Sequence, residues 1–130
     1  MQDDDRYERG LGRLAELQGP ETAAAMREQL ESISPTFARY AISTSYGEVY
    51  ERAGLSVRER ELITIGVVAT MGGCEAQLRR HLAIALNAGL TPAELVETVV
   101  QITAYAGAPR GSNAIRVAAE VVAERGLTLP

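Results

Sequence analysis

The sequence predicts an all-α protein of six to seven helices. Two capping boxes carry most of that expectation: Ser56-Val57-Arg58-Glu59 and Thr91-Pro92-Ala93-Glu94. Each sets a hydroxyl at the N-cap and a glutamate three residues on, satisfying amide donors that a helix start leaves open. Glycines at 54, 89 and 126 then fall where the apolar periodicity stops, as helix ends require. The Val and Ile runs lie inside these capped segments of 3.6-residue period, so nothing reads as a strand that must pair.

Taken in order, residues 1–5 read as a disordered acidic tail and 6–130 as a single domain. Leu11, Leu14, Ala15 and Leu17 make a short amphipathic helix from Arg6 to about Gln18. Gly19-Pro20 breaks it, and a second helix follows from Glu21 to about Ile33, with Ala25, Met26 and Leu30 on one side. Ser34-Pro35 supplies an N-cap and a first-turn proline for a helix expected to reach Ala53. Its apolar positions include Phe37, Tyr40, Ala41, Val49 and Tyr50, while Ser43-Thr44-Ser45 and Gly47 weaken its middle. The Ser56 box opens a helix to about Met71 whose stripe is Leu62, Ile65, Val68 and Ala69. Gly72-Gly73 is a tight joint, and the helix from Cys74 closes at Gly89. From Thr91 to about Tyr105, Leu95, Val96, Val99, Val100 and Ile102 make a helix so apolar that its own chain or a neighbour's must cover more than one side. The last helix, roughly Arg110 to Arg125, offers Ile115, Ala118, Ala119 and Val122 to the core.

Composition removes several functions. Apolar residues make up 46% and charged residues 23%, ordinary for a globular chain, and the net charge of −4 offers no basic footprint for nucleic acid. No apolar run approaches the roughly 20 residues that cross a bilayer. The acidic start is the opposite of a signal peptide's, so a cytoplasmic location and no membrane partner are expected. One cysteine and one histidine can build neither an intrachain disulfide nor a multi-ligand zinc or iron site, so no metal is expected. All 13 basic residues are arginine, which rules out a lysine Schiff base. With no Trp and a single Phe there is no stacking platform for bases, and no phosphate loop or nucleotide fingerprint appears.

The informative stretch is Gly72-Gly73-Cys74-Glu75-Ala76-Gln77-Leu78-Arg79-Arg80-His81, which holds both scarce residues. On a helix Cys74 and His81 share a face, about 10.5 Å apart along the axis, with Gln77 between them. Leu78, Leu82 and Ala85 surround His81 with an apolar stripe, where an imidazole needs a hydrogen-bond partner. A satisfied structural histidine fits this pattern as well as a catalytic one. Glu61, on the edge of the preceding helix's stripe, needs a partner too: either an arginine, or a role beside His81 as proton relay or anion.

The stretch from Phe37 to Arg125 resembles the carboxymuconolactone decarboxylase family, whose superfamily also holds the alkylhydroperoxidase AhpD-like proteins. The resemblance runs through Tyr46-Gly47-Glu48-Val49-Tyr50, Arg58-Glu59-Arg60-Glu61-Leu62 and Gly73-Cys74-Glu75 to His81. It continues in Ala85-Leu86-Asn87-Ala88-Gly89-Leu90-Thr91 and Ala104-Tyr105-Ala106-Gly107-Ala108-Pro109. It implies a small helical protomer in a homo-oligomer, trimer or hexamer, with sites near subunit contacts. It also implies either cofactor-free decarboxylation in aromatic breakdown or a thiol-dependent peroxidase. Glu75, Gln77 and His81 are the site positions the match carries. The chain departs from the peroxidase pattern in having Gln77 where a second cysteine belongs, and Glu61 lies one residue further from Cys74 than that motif's acid. It departs from the decarboxylase pattern in having Cys74 at a charged position and Gln77 at an acidic one.

The leading expectation is thus a cofactor-free lyase or proton-transfer enzyme acting on a small carboxylated cyclic or lactone compound. His81 moves the proton, and Glu75 or Glu61 orients the imidazole or holds a second proton. Gln77 contributes to substrate binding, and Arg110, after the Gly107–Pro109 turn, grips a carboxylate or else is a solvated surface residue. The alternative is a thiol peroxidase or redox protein in which Cys74, at a helix N-terminus, works with an external thiol or another subunit's cysteine. A third reading makes the chain a scaffold whose Leu95–Ile102 helix serves assembly. A serine hydrolase is discounted because no GxSxG elbow is present.

Overall fold

A computed structural model describes residues 2–130, with side chains from Asp4 onward. Among the described residues there are seven α-helices, a π-helical turn, a 3-10 turn and no strand, as the capping and periodicity predict. The stretch read as one domain divides into two compact units, one up to Leu55 and the other Ser56–Pro130.

The first unit contains α1 (Gln2–Gln18), α2 (Pro20–Ile33), α3 (Pro35–Ala41), the π turn Ile42–Tyr46 and the 3-10 turn Val49–Glu51. Two expectations need correction. The acidic residues read as a disordered tail belong to α1, which starts at Gln2, while Met1 lies outside the described residues. Asp4 and Asp5 sit in the first turn, where carboxylates suit the positive end of the helix dipole, and Asp4 pairs with Arg39. The helix expected to run to Ala53 stops at Ala41, because the chain there closes into a π turn by a 3.0 Å bond from Gly47 N to Ile42 O. Glycines allow this turn to lie directly on α1. A Cβ on Gly47 would stand 2.1 Å from the Arg6 carbonyl oxygen, and one on Gly10 2.6 Å from that of Ile42. The shortened α3 leaves Phe37 and Tyr40 exposed, while Tyr46 and Tyr50 are buried and stack at 5.3 Å between centroids.

The second unit is α4 (Val57–Met71), α5 (Glu75–Asn87), α6 (Pro92–Ala106) and α7 (Ala108–Ala123). Both capping boxes form. Ser56 Oγ accepts from Glu59 N, and Thr91 Oγ1 from Glu94 N, with each glutamate carboxylate returning the bond. Gly89, at φ 96°, ends α5 in a Schellman motif, with Leu90 N on Ala85 O at 3.0 Å and Gly89 N on Leu86 O at 3.1 Å. Helix α7 starts at Ala108, two residues before expectation, because Gly107 at φ 95° turns the chain and Pro109 fits the first helical turn.

Ile65, Leu82, Leu95, Ala118 and Val122 are at the centre of this unit's core. In α6 the residues spaced four and three apart, Leu95, Val99 and Ile102, face inward, whereas Val100 and Tyr105 are exposed. Leu62, expected in the buried stripe of α4, instead lines an open groove between α4 and α6. The inward position of that turn is taken by Glu61. No helix among the described residues is long and apolar enough to cross a membrane.

The two capping boxes are tied together. Arg58 Nη2 donates to Glu94 Oε2 at 2.5 Å while Glu94 Oε1 accepts from Thr91 N. The Arg58 guanidinium, and after it the Thr91 backbone N–H, hold the Glu94 carboxyl below the usual carboxylate range. A carboxyl held low in the folded state stabilises folding above its unfolded value, and that contribution is lost as pH falls through the folded value. We therefore expect Glu94→Gln to melt lower than the wild type at pH 7, with the gap closing below about pH 4. Thermal melts between neutral and acidic pH test this. A gap that does not change with pH would mean that the ion pair is not its source.

Candidate functional site

The α4 capping box sets the phase of its helix, and Glu61, Ile65 and Ala69, four apart, form its buried stripe. The Gly72-Gly73 joint, with φ of 71° and 70°, folds α5 back against α4. Helix α5 buries Leu78, His81, Leu82 and Ala85, the spacing of one helical face. Where the two stripes meet, His81 Nδ1 lies 2.8 Å from Glu61 Oε2. Glu61 is fully buried and the His81 side chain is 10% exposed. Among the partners of Glu61, then, is the imidazole.

This geometry orders the ring. Against an ionised carboxylate, which can only accept, Nδ1 carries the proton and Nε2 keeps its lone pair. Nε2 makes no hydrogen bond among the described residues and is not sealed from solvent. The arrangement can accept and return one proton at Nε2.

The other sequence-derived candidates are not brought onto this pair. Cys74 is the N-cap of α5, half-buried, and its Sγ donates to Gly72 O at 3.4 Å. Glu75 opens α5 and is exposed. Gln77, on the face of His81 by spacing, is exposed and makes no hydrogen bond to it. Cys74 and Glu75 share a narrow cleft with Val68, Leu78, Asn113 and Ala114, at the N-terminal end of α5. Arg110 comes to the same end: its half-buried guanidinium lies over Gly72 and makes no hydrogen bond or ion pair among the described residues.

An open groove of about 620 Å³ between α4 and α6, lined by residues that include Leu62, Leu90, Ile102 and Glu97, contains none of these candidate residues. No group of three or more His, Cys, Asp or Glu side chains among the described residues could hold a metal ion. Sequence reasoning missed that the Arg110 guanidinium lies against Gly72. Its positive φ was legible as a joint, but the arginine resting on it comes from 38 residues further along.

Comparison with known proteins finds one family and decarboxylases among the relatives. The family model described as the Carboxymuconolactone decarboxylase family matches residues 35–120. A 4-carboxymuconolactone decarboxylase of Acinetobacter baylyi is 34% identical over 127 residues, covering 98% of this chain and 94% of that protein. An uncharacterised 15.0 kDa protein of Paracoccus denitrificans is 34% identical over 96 residues, 73% of this chain and 72% of its own. A nitrosuccinic acid decarboxylase of Metarhizium robertsii is 31% identical over 80 residues, 60% of this chain and 54% of its own.

The Glu61–His81 contact makes a separable prediction about stability. Glu61→Leu leaves a buried ring N–H without its acceptor and should destabilise by about 1–3 kcal/mol. The double variant Glu61→Leu/His81→Leu should be less destabilised than the sum of its single changes. Urea denaturation of the four proteins measures the coupling, and simple additivity would mean that the pair contributes nothing as a pair.

Proposed function

The chain belongs to the carboxymuconolactone decarboxylase family, and from that premise we propose that it is a decarboxylase of a small cyclic or lactone compound carrying carboxylate groups. The observation behind this reading is the buried Glu61–His81 pair with Nε2 left open. As the bond between substrate carbon and carboxylate breaks, CO2 departs and its bonding electrons stay on the carbon, delocalised into the ring carbonyl. The His81 imidazolium gives its Nε2 proton to that carbon, forming the new C–H bond, and the neutral ring regains a proton from solvent. Glu61 holds the ring by its Nδ1–H throughout and balances the positive charge. None of these steps requires a cofactor.

Arg110 is assigned to a carboxylate of the substrate, because its guanidinium is half-buried and uncommitted. Glu75 and Gln77, exposed on the first turns of α5, are placed at the rim of the substrate site rather than at the proton transfer. The thiol peroxidase alternative draws no support from the contacts of Cys74. The chain has no second cysteine, and the Cys74 thiol is engaged with a backbone carbonyl.

The decisive assay is CO2 release from 4-carboxymuconolactone and related carboxylated lactones. His81→Gln, which keeps size and can still donate to Glu61, should leave the melting temperature nearly unchanged. It should lower turnover by roughly two to four orders of magnitude. Cys74→Ser should keep most of the activity. Normal turnover by His81→Gln, or its unfolding, would reduce His81 to a packing residue and end this reading.

Assembly as a homo-oligomer, trimer or hexamer, is part of the same proposal. It suits α6, whose outward Val100 and Tyr105 are 54% and 88% exposed beside apolar grooves on either side of the helix. Light scattering at micromolar concentration should find no stable folded monomer. A persistent monomer would remove the oligomer from the proposal.

A further inference from the structure

Gly72 does more than turn the chain. A Cβ built on it would meet Arg110 Nη1 at 1.9 Å, Cζ at 2.6 Å and Nη2 at 3.0 Å. These three atoms are the planar head of the guanidinium, so the head lies against the glycine where any other residue would carry its side chain. Gly73, its neighbour, also has a positive φ, of 70°, yet a Cβ there would meet nothing within 4 Å. The two glycines of the joint therefore differ in their demands. Gly73 is needed for the backbone alone, and Gly72 for the backbone and for the space above it.

The arginine occupying that space has no internal partner. Arg110 makes no hydrogen bond or ion pair among the described residues, although its side chain is partly withdrawn from water. Elsewhere in this unit Arg58 is committed to Glu94 and Arg79 to Glu120 and Glu124, while Arg116 donates to Asn113 and Arg125 to the Ala83 carbonyl; Arg80, like Arg110, makes no such bond among the described residues. Packing against Gly72 restricts the long side chain without using any of its five donors. A restrained fork with open donors loses less conformational freedom on gripping a carboxylate than a free surface arginine does.

We infer that Gly72 is a positioning residue for substrate recognition: its missing side chain is the seat that holds the Arg110 guanidinium ready for a substrate carboxylate. The inference rests on the proposed role of Arg110 and adds a cause for its orientation. Gly72 itself touches no substrate and takes no part in the proton transfer at His81.

The test compares Gly72→Ala, Gly73→Ala, Arg110→Ala and the double variant Gly72→Ala/Arg110→Ala by two readouts. The first is the Arg110 Nε–H resonance in a nitrogen–proton NMR spectrum, assigned by its loss in Arg110→Ala, which reports the seat without any turnover. The second is kcat and KM for 4-carboxymuconolactone. Gly72→Ala should move the Arg110 resonance and raise KM roughly ten- to a hundredfold, the effect of losing a charge-assisted contact, with kcat changed little. Gly73→Ala should do neither. Added to Arg110→Ala, the Gly72→Ala change should raise KM no further and should lower the melting temperature less than it does in the wild type, since the clash is gone.

The failures are distinguishable. If Arg110→Ala leaves KM unchanged, or no lactone is turned over, the carboxylate role of Arg110 falls while the resonance still judges the seat. If Arg110→Ala raises KM but Gly72→Ala disturbs neither resonance nor KM, the seat is wrong and the role of Arg110 stands. If Gly72→Ala does not fold, the double variant decides. Failure there as well, with Gly73→Ala folding normally, attributes the effect to backbone strain and overturns the inference.

Discussion

A carboxylate and an imidazole, both withdrawn from water and 2.8 Å apart, are the constraint around which the second unit is arranged. Each alone in an apolar stripe would be costly; together they satisfy one another. The pair can form only if α4 and α5 present Glu61 and His81 to the same contact. That in turn depends on a defined start for α4, a tight joint after Met71 and an unbroken phase through α5. The Ser56 capping box, the two positive-φ glycines and the Schellman end at Gly89 supply those conditions. Hydrophobic residues of similar size would hold two helices together at least as well, since buried ion pairs seldom outdo good apolar packing. On the proposed reading the pair has a chemical duty at this spot.

Small residues set the close approaches elsewhere. Gly10 and Gly47 let the backbone of α1 meet the π turn, and Gly111 leaves room for the hydroxyl of Thr103 between α6 and α7. A β-carbon at any of these places would push apart elements that carry buried side chains on both sides. The glycines are therefore part of the packing as much as the leucines are, although they contribute no apolar area of their own.

How much of this was legible in the sequence follows from the range of each signal. Caps, glycine joints and apolar periods are encoded within a few residues, and the four helices of the second unit start and stop close to where those signals put them. The π turn at Ile42–Tyr46 was not legible as such. Ser43-Thr44-Ser45 and Gly47 announced weakness, but what shortens α3 is the backbone of α1, more than 30 residues earlier. Leu62 and Glu61 exchange the roles expected of them for a similar reason. Local hydropathy favours the leucine for the core, whereas a partner such as the histidine 20 residues away makes the glutamate the better inward residue. Residue scarcity drew attention to His81, which lies against the carboxylate of Glu61. Spacing on one helix face overstated the case for Gln77, because sharing a face does not make two side chains meet.

On the proposed reading, the two ends of α5 suit different parts of one reaction. The uncommitted Arg110 stands at the N-terminal joint, whereas His81 is about two turns along, some 9–10 Å by helical rise from the first residues of α5. An arginine gripping the carboxylate that is to leave would stabilise the ground state and hinder loss of CO2, because the charge it holds disappears from that group as the bond breaks. Catalysis gains when the departing carboxylate lies instead among apolar side chains, poorly solvated, with the proton donor beside the carbon it leaves. His81 has such surroundings in Leu78, Leu82 and Ala85. The separation therefore favours a substrate with two carboxylates: one anchored at the joint, the other released beside His81.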